Sequence, residues 1–298
     1  MDKCDLYGGI ARAELPCDSF DMGEGIVVSK TYAHIFSSFM MAFGRAEKGK
    51  PSPAPWRAAK GGFSFDILRQ IHVPLSFDPV GFFDRLNTIW WFTALLRFRT
   101  SPYILLPVIA DGPFADGPKD ESITFFPVEL DPIVLRVQHE WKLQVQEDDL
   151  EWIKKNWWPA GKLMDNNEFN LIFQAYAACA FMKKQELALI SLWGALEGLF
   201  SPSRSEVSFR VSSHIAAFLE PAGKARLELQ KKIVKLYNAR SQVAHGSQDL
   251  PENALSDTYA LTKRIISRII DQNHVPTRED LENALLGGAR ELSLRGSY

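Results

Sequence analysis

Cysteine is too scarce and too scattered in this chain to build anything covalent. Cys4, Cys17 and Cys179 are its only three, with neither the even number and close spacing of a disulfide framework nor the paired Cys-x-x-Cys of a zinc site. A reducing compartment follows as the simplest expectation. Long apolar runs are missing too: Ile89 to Leu96 and Leu187 to Leu196 are the longest, well short of the ~20 residues that cross a bilayer. The start, Met-Asp-Lys-Cys-Asp, has no basic segment followed by an apolar one, so no signal peptide is expected and the expected location is cytoplasmic. There is no Gly-rich phosphate loop and no cluster of metal ligands, and neither a cofactor nor a metal is expected. An excess of charge of one sign is also absent. The formal net charge of -2 exerts no global pull toward nucleic acid or an anionic membrane.

What the chain does have is apolar mass. With 46% apolar and 23% charged residues over 298 positions, it can bury one large core or two ordinary ones. The first thirty residues show no clear periodicity. Thr31 to Arg45 has an apolar pattern compatible with a short helix, and the Gly- and Pro-rich Lys48 to Pro55 reads as an exposed loop. Asp84 to Arg99 repeats apolar residues at helical spacing and stops at Ser-Pro, which places Trp90 and Trp91 in a core face. Tyr103 to Ala110, Ser122 to Glu129 and Ile133 to Val145 are Val-, Ile-, Phe- and Leu-rich and separated by Asp-Gly-Pro and Asp-Pro turns, the pattern of strands.

Glu147 to Trp158 opens with acids and carries lysines further on, as a helix dipole favours, and Pro159 is expected to close it. Beyond it helices dominate: Asn167 to Lys183, Glu186 to Phe200, Ser205 to Leu219, Ala222 to Arg240, Glu252 to Gln272 and Arg278 to Ala289. The fold class is therefore mixed, an α+β N-terminal domain over 1–160 followed by an all-α bundle over 161–298. From Lys183 to Arg268 basic residues outnumber acidic ones by about five, so the bundle is locally cationic against a chain that is not.

The densest chemistry lies in Tyr237-Asn238-Ala239-Arg240-Ser241-Gln242-Val243-Ala244-His245-Gly246. A purely structural account is available: a helix ends here, basic groups suit the negative end of its dipole, and Gly takes the left-handed position after it. That account covers Arg240, His245 and Gly246 and leaves the rest of the stretch unexplained; Tyr237, Ser241 and His245, at i, i+4 and i+8, share a face if the helix continues, with Arg240 beside them. Arg followed by a few residues and His is by itself close to chance in a chain this long, and Arg268 with His274 also satisfies it without polar companions.

The spaced set Tyr-x-x-Arg-Ser-x-x-x-His-Gly resembles the signature of the Apea-like branch of the HEPN superfamily. Glu186 to Phe200 is similar to the helix preceding that motif, and Phe209 to Leu219 to the intervening helix, so the resemblance spans about 167–271. It implies a HEPN-like bundle that dimerises and brings two Arg-His motifs into one cleft. In active members it implies a metal-independent endoribonuclease, with bacterial defence against phage as the setting and a phage-derived trigger or other regulator acting on the N-terminal domain. The chemistry suits the residues. Attack of a ribose 2′-hydroxyl on its own phosphate needs a base, an acid and a cation. His245 can be base or acid, Arg240 is a permanently charged fork for phosphate oxygens, and two protomers provide two histidines.

Ser241, Tyr237, Asn238 and Glu197 are candidate supporting residues, and Lys231 and Lys235 candidate RNA contacts. Glu197, a carboxylate in an apolar helix, is costly to bury alone; it either holds the fold through a salt bridge or aims Arg240. His214 is expected to be structural. The alternative function is a non-catalytic HEPN module that binds RNA or a protein partner. His72 and His139 have no nucleophile nearby in sequence, and no motif supports chemistry in the N-terminal half.

Overall fold

A computed structural model describes residues 4–78, 83–130, 144–200, 207–244 and 250–287. The chain divides into two compact units: one runs through Leu96 and includes Tyr103–Leu130 and the segment up to Lys154, while Arg97–Pro102 belongs with the residues from Lys155 onward. The division thus falls inside a helix, a few residues before the boundary at 160 expected from composition.

The first unit is built on a six-stranded antiparallel sheet of β1 (Leu6–Ala11), β2 (Ser19–Gly23), β3 (Ile26–Ala42), β4 (Trp56–Val73), β5 (Leu105–Ala110) and β6 (Phe125–Pro127), in the order β2-β3-β4-β1-β5-β6. Its central strand, LYGGIA, is glycine-bearing for a packing reason. A Cβ on Gly8 would collide with Ile89 of helix α1 (Arg85–Arg99), and one on Gly9 would come within 2.8 Å of the Phe114 ring. Successive strand residues point to opposite faces, so the two glycines let a helix and an aromatic ring approach the strand from either side. Trp91, Phe92 and Leu95 of α1 are fully buried, and Trp90 is only partly so.

Two sequence expectations are corrected here. Thr31 to Arg45 is not a short helix: it lies largely in β3, paired antiparallel with β4 from Val27↔His72 to Ala42↔Trp56. Apolar residues there satisfy both helical and strand spacing, and the cross-strand partner decides between them. Pro159 does not close its helix either, since α2 (Glu147–Leu163) contains it. A proline removes one hydrogen bond without ending a helix whose next turn is anchored, and Ala160 and, just beyond the helix, Met164 are buried at 1% and 3% exposure. The strands expected over 103–110 and 122–129 are present in shortened form as β5 and β6. The strand expected over Ile133 to Val145 lies outside the described residues except at its end, where Val145 is buried and donates to the Glu14 carbonyl.

The second unit is helical: the end of α2, then α3 (Asn167–Cys179), α4 (Gln185–Phe200), α5 (Val207–Leu219), α6 (Lys224–Ala244), α7 (Ala254–Gln272) and α8 (Arg278–Leu286). The ends are chemically marked. The Asn166 side chain accepts from the Phe169 N–H at 2.9 Å to start α3, Asn273 in the left-handed region (φ 47°) ends α7, and Thr277 with Asp280 forms a capping box on α8. Trp193, Leu196 and Phe200 of α4 are buried together with Ile215 of α5, Ile233 of α6 and Tyr259 and Ile265 of α7, so α4 supplies a central wall of this core.

Candidate functional site

Helix α6 continues through Arg240 to Ala244, four residues beyond the end expected from sequence. That extension matters for the site. Tyr237, Arg240 and Ser241 consequently sit at i, i+3 and i+4 on continuous helix, where side chains are neighbours. All three are half-buried, and Ala239 between them is buried.

Opposite them is Glu197 of α4. Arg240 Nη2 lies 3.1 Å from Glu197 Oε1 in an ion pair whose side chains are 23% and 25% exposed. The aligned hydrogen bond goes instead to Oε2 at 3.5 Å, so Glu197 Oε1 and Arg240 Nε are both buried without a hydrogen-bond partner among the described residues. The pair is a charge contact with loose angular geometry. Among the described residues most of the guanidinium's five donors have no acceptor.

Tyr237 completes the cluster. Its ring meets Trp193 edge-on, with centroids 5.3 Å apart and planes at 88°, and the Arg240 guanidinium carbon stands 5.7 Å from its centroid. Burial raises the Tyr237 hydroxyl's pKa, and the neighbouring Glu197 charge and a hydrogen bond to that carboxylate raise it further, against the opposing Arg240 charge. The phenol therefore stays protonated through neutral pH and acts as a donor to Glu197. Because Trp193 is fully buried, the cluster rests on the core of α4 and does not hang on a mobile surface.

The other expected residues separate. Lys231, Lys235 and Asn238 are exposed and recur at i, i+4 and i+7, a stripe roughly 140–180° around the α6 axis from Arg240 and roughly 60–120° from Ser241. Lys231 and Lys235 thus lie on nearly the opposite side of α6 from Arg240 and do not join the cluster, whereas the adjacent Lys232 ties α6 to α7 through Asp257 at 3.1 Å. His245 and Gly246 lie outside the described residues, immediately after the last residue of α6. His139 is outside them as well.

The remaining histidines resolve into structural roles. His214 is 5% exposed, and its Nδ1 donates to the Phe200 carbonyl at 2.8 Å, which ties α5 to the end of α4. His274 pairs with Asp280 at 2.8 Å in the α8 cap, so the chance Arg268–His274 match is accounted for by helix capping. In the first unit His72 Nε2 stands 2.9 Å from Asp5 Oδ2 and stacks on Tyr7 with centroids 4.7 Å apart. Sequence spacing could not find that pair, because 67 positions separate its members.

A cleft of about 250 Å³ lies beside the C-terminal end of α4, lined by Asn166, Glu168, Gly198, Leu199, Thr277 and Arg278. Neither Glu197 nor Arg240 lines it. Among the described residues no group of three or more His, Cys, Asp or Glu is placed to hold a metal ion, and no helix is long and apolar enough to cross a membrane. No family model matches the sequence, and no similar protein was found among curated proteins or solved structures.

Proposed function

We propose that the helical unit is a HEPN-like domain of the Apea-like branch and that it cleaves RNA without a metal, through attack of a ribose 2′-hydroxyl on the adjacent phosphate. The observation that supports this most directly is the Glu197–Arg240 pair, a cation held against the wall of α4 on the same face of α6 as Tyr237 and Ser241. In this reading Glu197 and Tyr237 are positioning residues. They limit the rotamers open to Arg240 while leaving donors free for phosphate oxygens as charge grows on the phosphorane. His245 follows one residue after α6 and serves as base or acid, and a second protomer contributes the complementary histidine. Lys231 and Lys235 steer the strand electrostatically from the far side of α6, about one helix diameter away. Defence against phage, with a trigger acting at the N-terminal unit, is the setting that the resemblance suggests.

The second reading, a non-catalytic module that binds RNA or a protein partner, draws on the same pair seen differently. A guanidinium already neutralised by a carboxylate and packed over a tyrosine ring is a stable structural contact. One experiment separates the two. A mixed RNA pool is incubated in EDTA with wild-type protein, Arg240→Ala and His245→Ala, and the ends are mapped. Cleavage leaving cyclic phosphate ends, lost in both variants while they remain folded, is the expected result; full activity in His245→Ala would overturn the catalytic assignment, and no cleavage by wild type would favour the binding module.

A further inference from the structure

The longest strands of the sheet extend well beyond it. β2 pairs with β3 only from Ile26 to Ser29, and β1 pairs with β4 only from Ile67 to Val73. Past Phe36↔Ser64, β3 and β4 have only each other as strand partners among the described residues, as far as Ala42↔Trp56. An isolated two-stranded ribbon is marginal in water, so its side chains carry information about what it meets.

At the base of the ribbon, Ala33 and Ile35 turn inward and pack on Ile67, Val108, Ala110 and Phe114. The alternating residues Tyr32, His34 and Phe36 face outward, and further along Phe43 and Trp56 are also presented to solvent. Tyr32, Phe36, Phe43 and Trp56 are 67%, 72%, 63% and 53% exposed. Two of these features are held in place. The Trp56 indole N–H donates to the carbonyls of Ser52 and Pro53 at 2.9 and 3.1 Å, and His34 is fixed to Asp66 at 2.8 Å with the Tyr32 hydroxyl nearby. Ring orientation is therefore set before any partner arrives, which lowers the entropy lost on binding.

The charge on the same arm is predominantly positive. Between Lys30 and Lys60 the only acid is Glu47, set against Lys30, Arg45, Lys48, Lys50, Arg57 and Lys60. Glu47 is occupied by Lys50 and Lys30 pairs with Asp18; Arg45, Lys48, Arg57 and Lys60 have no acidic partner among the described residues. A chain whose net charge is -2 has thus gathered unpaired cations on a projecting arm, interleaved with exposed rings.

We propose that the β3–β4 arm is a binding element for single-stranded nucleic acid, in which Tyr32, Phe36, Phe43 and Trp56 stack on bases while Lys48, Arg57 and Lys60 follow the phosphates. Aromatic platforms combined with a cationic track are the physical requirements for binding a single strand with little sequence preference. Lys30 to Ala42 spans about 40 Å of extended chain, enough for several nucleotides. An anionic membrane fits less well. The end that would enter a bilayer first, Arg45 to Pro55, is charged and proline-rich with no apolar side chain beyond alanine, and the rings lie behind it. This element goes beyond the cleavage proposed for the helical unit and does not depend on it.

The test uses the full-length protein and a labelled twenty-nucleotide oligothymidylate, which lacks the 2′-hydroxyl and so cannot undergo the proposed cleavage. Binding is followed by anisotropy across a salt series. Phe36→Ala combined with Trp56→Ala is expected to weaken binding by about tenfold or more. Arg57→Ala combined with Lys60→Ala is expected to lower the slope of log affinity against log salt by about 1.4. All four positions are exposed, and unchanged thermal melting establishes that both variants are folded. Wild-type affinity in both variants overturns the proposal, as does equal binding of an abasic strand of the same length, or binding to phosphatidylserine vesicles without binding to the oligonucleotide. Absence of oligothymidylate binding by the wild-type protein with its RNA cleavage intact would overturn the arm's role alone, and oligothymidylate binding without RNA cleavage would overturn only the cleavage reading.

Discussion

Replacing Glu197 with Gln removes the charge that faces Arg240 while keeping size and a hydrogen-bond acceptor for the Tyr237 hydroxyl. Exposed ion pairs are worth about 0–1 kcal/mol, and breaking a buried pair costs about 3–5 kcal/mol. The Glu197–Arg240 pair, with side chains 25% and 23% exposed and its best-aligned hydrogen bond stretched to 3.5 Å, falls between these limits, at about 1–2 kcal/mol. The suitable measurement is a double-mutant cycle of Glu197→Gln and Arg240→Met, since Met keeps an apolar stem over the Tyr237 ring. With two compact units the whole chain need not unfold in one step, so a probe confined to the helical unit is required. Cys179 provides it: burial pushes its thiol pKa up to about 12 and leaves it 1% exposed, so it reacts with alkylating reagents only when α3 opens. Pulsed alkylation through a urea gradient is expected to shift the midpoint of Glu197→Gln down by roughly 0.5–1 M for a slope near 2 kcal/mol per M, with a coupling energy of about 1 kcal/mol or more. Coupling below about 0.3 kcal/mol would refute the reasoning, because a carboxylate with no energetic hold on Arg240 cannot be what positions it.

Gly8→Ala is expected to destabilise the sheet-bearing unit by about 1–3 kcal/mol through overpacking against Ile89, read as a lowered melting temperature; an unchanged melt would mean that α1 shifts freely on the sheet. Asp5 and Asp280 have pKa values lowered from the ordinary 3.8, because burial, which raises each, is outweighed by hydrogen bonds from Leu75 N–H and His72 to Asp5 and from His274 and Thr277 to Asp280. Their stabilisation is therefore complete above about pH 3.8 and is lost as pH falls through the depressed folded-state values, so Asp280→Asn is expected to flatten the acid limb of the stability profile while leaving its neutral plateau pH-independent.

The helices of the second unit were legible because α3, α4 and α7 bury residues at helical spacing and α3, α7 and α8 carry marked ends, such as Asn166, Asn273 and Thr277. The Glu197–Arg240 contact was half-legible: an acid in an apolar helix signals that a partner exists, and Arg240, 43 positions away, is one of the two readings, but local spacing does not choose between it and another arginine of the bundle. β3 was misread for a physical reason. Burial on one face is what writes alternation into a strand, and beyond its base the described side chains of this ribbon, Met40 to Phe43 and Trp56 to Ala58, are all exposed, so its composition matched a helix equally well. Asp5 and His72, adjacent in space through strand pairing, leave no trace in local spacing at all. The extension of α6 past Arg240 was hidden by the polar character of its last turns, where Ala239 is the only buried residue after Leu236.

The free ribbon also bears on the protein's behaviour at high concentration. Beyond the flanking strands its outer edges have no strand partner among the described residues, and such an edge is a template on which a second chain can add a strand. The irregular register between Ser38 and Met40, the prolines at 51, 53 and 55, and the lysines at 48, 50 and 60 are the devices that oppose such addition, by twisting the edge, withholding donors and repelling a like-charged copy. Solubility and the chemistry of the arm thus depend on the same cations: neutralising them, whether by a polyanion or by high salt, removes the electrostatic part of the barrier against edge-to-edge assembly.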